Sequence, residues 1–124
     1  DDETSRGLGD VYKRQYWVSL TKILCNINPP GSSNTMHHHT VGEFSGAFWL
    51  KAKKGAGDLI VMNPYPNKFM NTCTIAKRDY NAMYFTPEQN KGVFFNSNLI
   101  HHVDINRSDE DRVSIGYHIG LHYL

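Results

Sequence analysis

Short stretches of β-branched and aromatic residues recur along the chain from Tyr16 onward, each bounded by glycine, proline, asparagine or a charged turn. Stretches of this length and composition are typical of β-strands. We find seven or eight of them at regular spacing, without a repeat or a long helical pattern, which predicts one all-β domain, closed or sandwiched. A double-sheet jelly roll is the version that holds a metal or small ligand in its mouth. The predicted strands are YWVSLTKILCNI (its first half could be helical), TMHHHT, GAFWLKAK, DLIVMN, AMYFTP, KGVFFNS, IHHVDIN and RVSIGYHIGLHYL.

The segment NKFMNTCTIAKRDYN is ambiguous, and we interpret it as a loop with short strands. The first 15 residues, DDETSRGLGDVYKRQ, show no period and no apolar face, and they resemble a translated cloning or adaptor sequence from environmental DNA. We therefore expect a leader without function over residues 1–15 and a single domain over residues 16–124. We also expect that the native protein lost an N-terminal part.

Charge and composition narrow the class of partner. The 124 residues carry a formal net charge of +1 with acidic and basic residues interspersed, which argues against nucleic acid or an anionic membrane as the main partner. No apolar run reaches the roughly 20 residues that a membrane span needs, and the polar start predicts no secretory signal. Cys25 and Cys73 lie far apart without CxxC spacing, so we expect free thiols and a cytoplasmic location.

Three consecutive histidines in TMHHHT raise the question of a metal site. Side chains alternate along a strand, so His37 and His39 share one face and His38 points to the other. In NLIHHVDIN the same alternation groups His101 with two apolar neighbours, so its side chain is expected to turn inward while that of His102 turns out. His37, His39 and His101 could together bind one metal ion, since imidazole suits Zn, Fe, Cu and Ni. Structural or solvated histidines remain the alternative for each of them.

The last predicted strand places Arg112, Ser114, Gly116 and His118 on one face and apolar residues on the other. Arginine binds a carboxylate through two parallel hydrogen bonds, and a serine hydroxyl can add a third. An inward-facing Arg-x-Ser pair would therefore suit a dicarboxylate such as 2-oxoglutarate. An exposed edge strand with one polar face would give the same alternation.

These motifs occur in an order that resembles a small family of 2-oxoglutarate- and Fe(II)-dependent oxygenases of marine bacteria and their phages. The similar blocks are NPPGSSNTMHHH, FSGAFWL, GDLIVMNP, FFNSNLIHHV and RVSIGYH. The resemblance as a whole covers about residues 16–124. The resemblance implies a double-stranded β-helix, a cupin-like jelly roll. It also implies Fe(II) held by His37, His39 and His101, and 2-oxoglutarate as cosubstrate held by Arg112 and Ser114. Trp49 and Asn63 fall in blocks that line the family's pocket.

Three departures bear on activity rather than on fold. Most 2-oxoglutarate oxygenases bind iron through two histidines and one carboxylate, whereas His39 stands here at the position of the acid. His118 replaces the family's final asparagine, and Asn96 replaces a proline. Two rival functions therefore stay open, a cupin-like metalloprotein that does not use 2-oxoglutarate and a non-enzymatic jelly-roll binding module. The sequence does not identify the substrate, and the exposed edges of a β domain favour a homodimer.

Overall fold

The computed structural model describes residues 15–39, 42–65, 77–78 and 81–123. Within these ranges the chain forms strands and turns only, and no helix long and apolar enough to cross a bilayer occurs there. The all-β prediction is therefore confirmed. The strands are β1 (Tyr16–Asn28), β2 (Asn34–His37), β3 (Phe44–Lys51), β4 (Leu59–Met62), β5 (Lys77–Arg78), β6 (Ala82–Phe85), β7 (Gly92–Asn96), β8 (His101–Val103) and β9 (Arg112–Tyr123).

Each of the eight predicted stretches forms a strand, and β1 is extended along its whole length rather than helical in its first half. The ambiguous segment contributes the ninth strand, β5, of two residues. The remainder of that segment up to Tyr80, including Cys73, lies outside the described residues, as does the expected leader up to Arg14.

The strands form two antiparallel sheets. The four-stranded sheet has the order β1-β9-β3-β7, and the five-stranded sheet has the order β2-β8-β4-β6-β5. Strands far apart in sequence are neighbours in both sheets, because the chain passes repeatedly from one sheet to the other. The inner faces of the two sheets meet in a core of large apolar side chains, namely Trp49, Leu59, Val61, Met83 and Phe95.

The long strand β9 is an interior strand, hydrogen-bonded to β1 on one side and to β3 on the other. The alternative of an exposed edge strand is therefore wrong. Arg112, Ser114 and His118 are all buried, so the polar face of β9 points between the sheets. The space between the sheets is thus lined by both apolar and polar side chains.

Candidate functional site

A cavity of about 450 Å³ lies between the two sheets, within the range of roughly 300–1,000 Å³ that small-molecule sites occupy. Strands β1, β3, β7 and β9 line it from the four-stranded sheet, while β2, β4 and β8 line it from the five-stranded sheet. Six of the seven predicted site residues lie in its wall: His37, His39, His101, Trp49, Arg112 and Ser114.

The structure brings the three predicted metal-binding histidines together. His37 ends β2 and pairs with His101 at the start of β8, while His39 lies two residues beyond β2. One ring nitrogen from each of the three lies within 4.8 Å of the others. The exposed neighbour His38 is not part of this group. Three imidazole nitrogens form a donor set that fits Fe(II) and also zinc or nickel.

Backbone carbonyls orient two of these rings. The Nδ1 atom of His37 lies 2.7 Å from the carbonyl oxygen of Thr35, and Nδ1 of His101 lies 2.8 Å from that of Leu99. A carbonyl oxygen can only accept, so each Nδ1 carries the proton and each Nε2 keeps its lone pair. A second hydrogen bond of this kind fixes the tautomer of metal-binding histidines. Each ring is therefore oriented to offer Nε2 to a metal.

Burial keeps the imidazole rings of His39 and His101 in the neutral form, which can bind a metal. The pKa of His39 is lowered from 6.5 to about 4, first by burial and then by the neighbouring His118 and His101. Burial also lowers the pKa of His101, against the opposing effect of its hydrogen bond to Leu99. Both imidazoles are therefore neutral near pH 7, and the neutral form is the one that binds metals.

A fourth histidine lies beside this group. His118 is 5% exposed on the inner face of β9, and its ring centroid lies 4.3 Å from that of His39 at a near-perpendicular angle. The sequence places His118 on the same strand face as Arg112 and Ser114 but does not assign it to the site. The signal was present in the alternation, since a residue six positions after Arg112 has the same orientation.

Arg112 is a buried cation at the wall of the cavity, with 2% of its surface exposed. Its Nη1 donates to the carbonyl oxygens of Ala56 and Gly57, at 3.0 and 3.1 Å. These acceptors are neutral, and the described residues provide no carboxylate that pairs with it. Burial accordingly lowers its pKa, with no acidic group raising it. A buried charge without a partner is costly, so this guanidinium is poised to bind an anion.

Ser114 and Trp49 are cross-strand partners on β9 and β3, and both are buried at the cavity wall. Asn63 is the predicted residue that the structure does not place in this wall. Its position follows the end of β4, and its side-chain oxygen accepts a hydrogen bond from the backbone N–H of Tyr65 at 2.9 Å. Asparagine commonly stabilises a turn in this way, so the turn accounts for the orientation of this side chain.

Residues 22–118 match the family described as "Putative 2OG-Fe(II) oxygenase". The chain belongs to this family. The match spans the histidine group and the Arg-x-Ser pair within one continuous range, and the family membership agrees with the predicted resemblance. The origin in marine bacteria and phages that the resemblance also implies stays a prediction. No curated protein sequence matches the chain significantly.

Several solved structures share the fold. A 2OG-Fe(II) oxygenase family oxidoreductase from Burkholderia pseudomallei is 18% identical with a TM-score of 0.64, covering 97% of this chain and 53% of that one. A prolyl-4-hydroxylase from Pseudomonas putida is 16% identical with a TM-score of 0.56, covering 96% and 62%. A cupin domain from Bordetella pertussis Tohama I is 14% identical with a TM-score of 0.50, covering 86% and 94%.

These similarities confirm the predicted cupin-like jelly roll, the double-stranded β-helix. At such low identity they concern the fold alone. This chain spans between half and two thirds of the length of the two oxygenase structures, and nearly the whole length of the cupin domain.

Proposed function

We propose that this protein is a 2-oxoglutarate- and Fe(II)-dependent dioxygenase that hydroxylates a substrate not yet known. One observation carries the proposal: the cavity that contains the three histidines also contains the buried guanidinium of Arg112, which has no acidic partner among the described residues. Membership of the oxygenase family supports it independently. When bound, Fe(II) with 2-oxoglutarate supplies the oxidation, which consumes dioxygen and converts the cosubstrate to succinate and carbon dioxide.

The residues of the chain would bind and orient these groups. His37, His39 and His101 would each offer one ring nitrogen to the metal, with the Nε2 atoms of His37 and His101 already directed by their Nδ1 hydrogen bonds. Arg112 would hold the distal carboxylate of 2-oxoglutarate by charge-assisted hydrogen bonds, and the Ser114 hydroxyl would add another. Arg112 itself is buried, and a charge pair is stronger in a buried environment than in bulk water.

A site that offers three imidazole ligands and no carboxylate still has a consistent charge balance. Fe(II) bound by neutral imidazoles keeps its two positive charges, and Arg112 adds a third. Among the described cavity residues there is no aspartate or glutamate to offset them. A dianion such as 2-oxoglutarate would therefore be attracted more strongly than to a site with a carboxylate ligand. This attraction would offset the absence of the usual acid at position 39.

A cupin-like metalloprotein that does not use 2-oxoglutarate is the second candidate. The three-histidine donor set favours it, because this set lacks the carboxylate that most 2-oxoglutarate oxygenases use. Arg112 would then contact a different anionic substrate. A non-enzymatic jelly-roll module is the third candidate, and it requires that the histidines bind no metal.

The decisive experiment loads the protein anaerobically with Fe(II), adds 2-oxoglutarate and oxygen, and follows succinate. We expect slow uncoupled turnover in the wild type and none in Arg112→Ala, which should still bind the metal. Arg107→Ala is the matched control, because Arg107 is an exposed arginine paired with Asp104. It should behave as the wild type does.

The outcomes separate the candidates. Metal binding without 2-oxoglutarate binding or succinate would identify the cupin-like metalloprotein. A purified protein that binds no divalent metal would identify the non-enzymatic module. Loss of the metal in Arg112→Ala would contradict the assignment of Arg112 to the cosubstrate rather than to the metal site.

We further infer a cytoplasmic location. Cys25 is an exposed free thiol, which a reducing compartment preserves. Ferrous iron is also kept reduced more readily there. Fractionation of cells that express the protein, with antibody detection, tests this inference, and recovery from an oxidising compartment would contradict it.

A further inference from the structure

The outer face of the four-stranded sheet is apolar. Side chains alternate along β9, so those on the face that does not carry Arg112, Ser114 and His118 point away from the cavity. Residues paired across an antiparallel sheet share a face, so the partners of these outward residues on β1 and β3 point away from the cavity as well. The outward positions of β1 and β9 carry no charged side chain. Six large outward side chains are between 57% and 69% exposed: Val18, Leu20, Ile23, Ile27, Phe94 and Tyr123.

No described segment packs over this outer face. An apolar patch of this extent is rare on a monomer, where exposed apolar patches seldom exceed a few hundred Å² and larger ones mark interfaces. Sheets bury an apolar face against another layer of secondary structure. The outer face, defined here as the outward side chains of β1, β9, β3 and β7, is therefore suited to pack against a further layer.

We propose that a second copy of this chain supplies that layer, in a two-fold symmetric dimer whose four-stranded sheets pack face to face. Two twisted sheets pack in this way at about 10 Å separation with their strands about 30° apart. A two-fold axis places the same patch against itself. The patch is apolar except at its end, where Lys51 lies opposite Val113 and pairs with Glu110, so its apolar part is complementary to its own copy.

The size of the outer face agrees with a stable dimer. The strands β1 and β9 have 13 and 12 residues, and β3 and β7 have 8 and 5. With about 3.3 Å per residue and about 4.8 Å between strands, the footprint is on the order of 600 Å². The accessible surface of protruding side chains is larger than their footprint, and each partner in a standard interface buries about 800 Å².

Pairing through the edge of β1 is less favourable than packing through the face. Lys22 lies in the middle of β1, so antiparallel pairing of two β1 edges about their centre would bring two like charges together. The register of β1 is also interrupted between Leu20 and Lys22, and an irregularity of this kind is one way in which sheets block edge pairing. The outer face has no such protection.

Measurement of the molar mass by light scattering after gel filtration, with the metal removed by chelator, tests the dimer. We expect twice the chain mass of 14.2 kDa for the wild type. Ile23→Glu should be monomeric at the same concentration, because the two-fold axis places the buried charge in the interface twice and raises the dimer Kd by on the order of 100-fold or more. Ile105→Glu is the matched control at an exposed isoleucine outside the outer face, and it should remain dimeric.

The thiol of Cys25 gives a second measurement that does not depend on a charged substitution. Cys25 is exposed in the single chain and lies on the outer face between Ile23 and Ile27. In a Cys73→Ser background, its reaction with a thiol reagent should slow on dimerisation. When about nine-tenths of the chains are dimeric, only the remaining monomer reacts, and the rate should fall by about ten-fold.

Each other outcome would overturn the proposal. A monomer with a reactive Cys25 at all concentrations would show that the face needs no partner layer. A monomer with a protected Cys25 would show that residues of the same chain cover it. Polydisperse larger oligomers would contradict a closed two-fold interface, and a monomer that binds neutral lipid vesicles would assign the face to a membrane surface.

Discussion

His37 and His101 illustrate how a carbonyl two residues earlier can determine which nitrogen of a histidine faces a metal. In both residues Nδ1 donates to the backbone, so Nε2 is left for coordination. Alternation along the strand predicted which three histidines would come together and left out His38. Alternation also places His118 on the inner face of β9, but its contact with His39 depends on how the two sheets face each other.

Because side chains alternate along a strand, neighbouring histidines should differ in how much they contribute to metal affinity. His39→Ala and His101→Ala each remove one of the proposed ligand atoms, so the affinity for the metal should fall by more than about 100-fold, since even loss of a supporting hydrogen bond costs about 10- to 100-fold. His38→Ala and His102→Ala are the matched controls, and they should bind metal as the wild type does. Calorimetric titration with Fe(II) or Ni(II) measures this, and equal loss in a control would refute the assignment.

At the scale of elements, the turn between β3 and β4 positions the guanidinium group of Arg112. The carbonyls of Ala56 and Gly57 accept from Arg112, and Gly57 adopts a φ of +96°. A Cβ atom at Gly57 would collide with the carbonyl oxygen of Asp104. Glycine is therefore required here both by the positive φ and by the lack of space for a Cβ atom. The close contact with Asp104 also connects the turn with the segment that follows β8.

Gly57→Ala should displace the turn and weaken the orientation of Arg112. We expect the Kd for 2-oxoglutarate to rise about ten-fold, which corresponds to about 1.4 kcal/mol. Gly55→Ala is the matched control, because Gly55 has a φ of +88° but no atom closer than 3.8 Å to the added Cβ. Both variants should lose roughly 1–2 kcal/mol of stability from the left-handed backbone, and Gly57→Ala more. Equal 2-oxoglutarate affinity in both variants would exclude a role for the turn in binding.

The loop that leads into β9 depends on one buried amide. Asn106 is 1% exposed, donates to the carbonyls of Asn28 and Glu110, and accepts from both the N–H and the hydroxyl of Ser108. Asn106→Ala would leave several of these buried groups without partners, so the free energy of unfolding should fall by about 2–4 kcal/mol. Asn98→Ala, at an exposed asparagine, should stay within about 0.5 kcal/mol of the wild type. Urea denaturation distinguishes the two, and similar stability would contradict this role of Asn106.

Strand positions could be predicted from the sequence because the period of two and the turn residues are local properties. All eight predicted stretches form strands, whereas the neighbours of each strand are set by contacts across the whole chain, such as the pairing of β1 with β9. The site residues likewise divide into those that local alternation predicts and those that it does not. Arg112 and Ser114 followed from alternation within β9, while Asn63 lies past the end of β4, where turn geometry replaces strand geometry. The irregularity in β1 likewise left no clear sequence signal.

For the whole molecule, the histidine group connects parts of the chain that only the folded state brings together. His39 and His101 are far apart in sequence, and His118 approaches His39 from the opposite sheet. An unfolded chain does not hold these nitrogens within reach of one ion, so metal binding and folding are thermodynamically linked.

This linkage predicts a metal-dependent unfolding temperature. At a free metal concentration of about 100 times the Kd, the folded state gains about 2.7 kcal/mol. For a domain of this length that corresponds to a rise in Tm on the order of 10 °C, and chelation should reverse it. His101→Ala should show no such rise, whereas His102→Ala should show the full effect, because the ring of His102 is not part of the group. Differential scanning calorimetry with and without metal measures the shift. An equal rise in His101→Ala would place the stabilising ion elsewhere, since a ligand raises Tm only through a site that the folded chain provides.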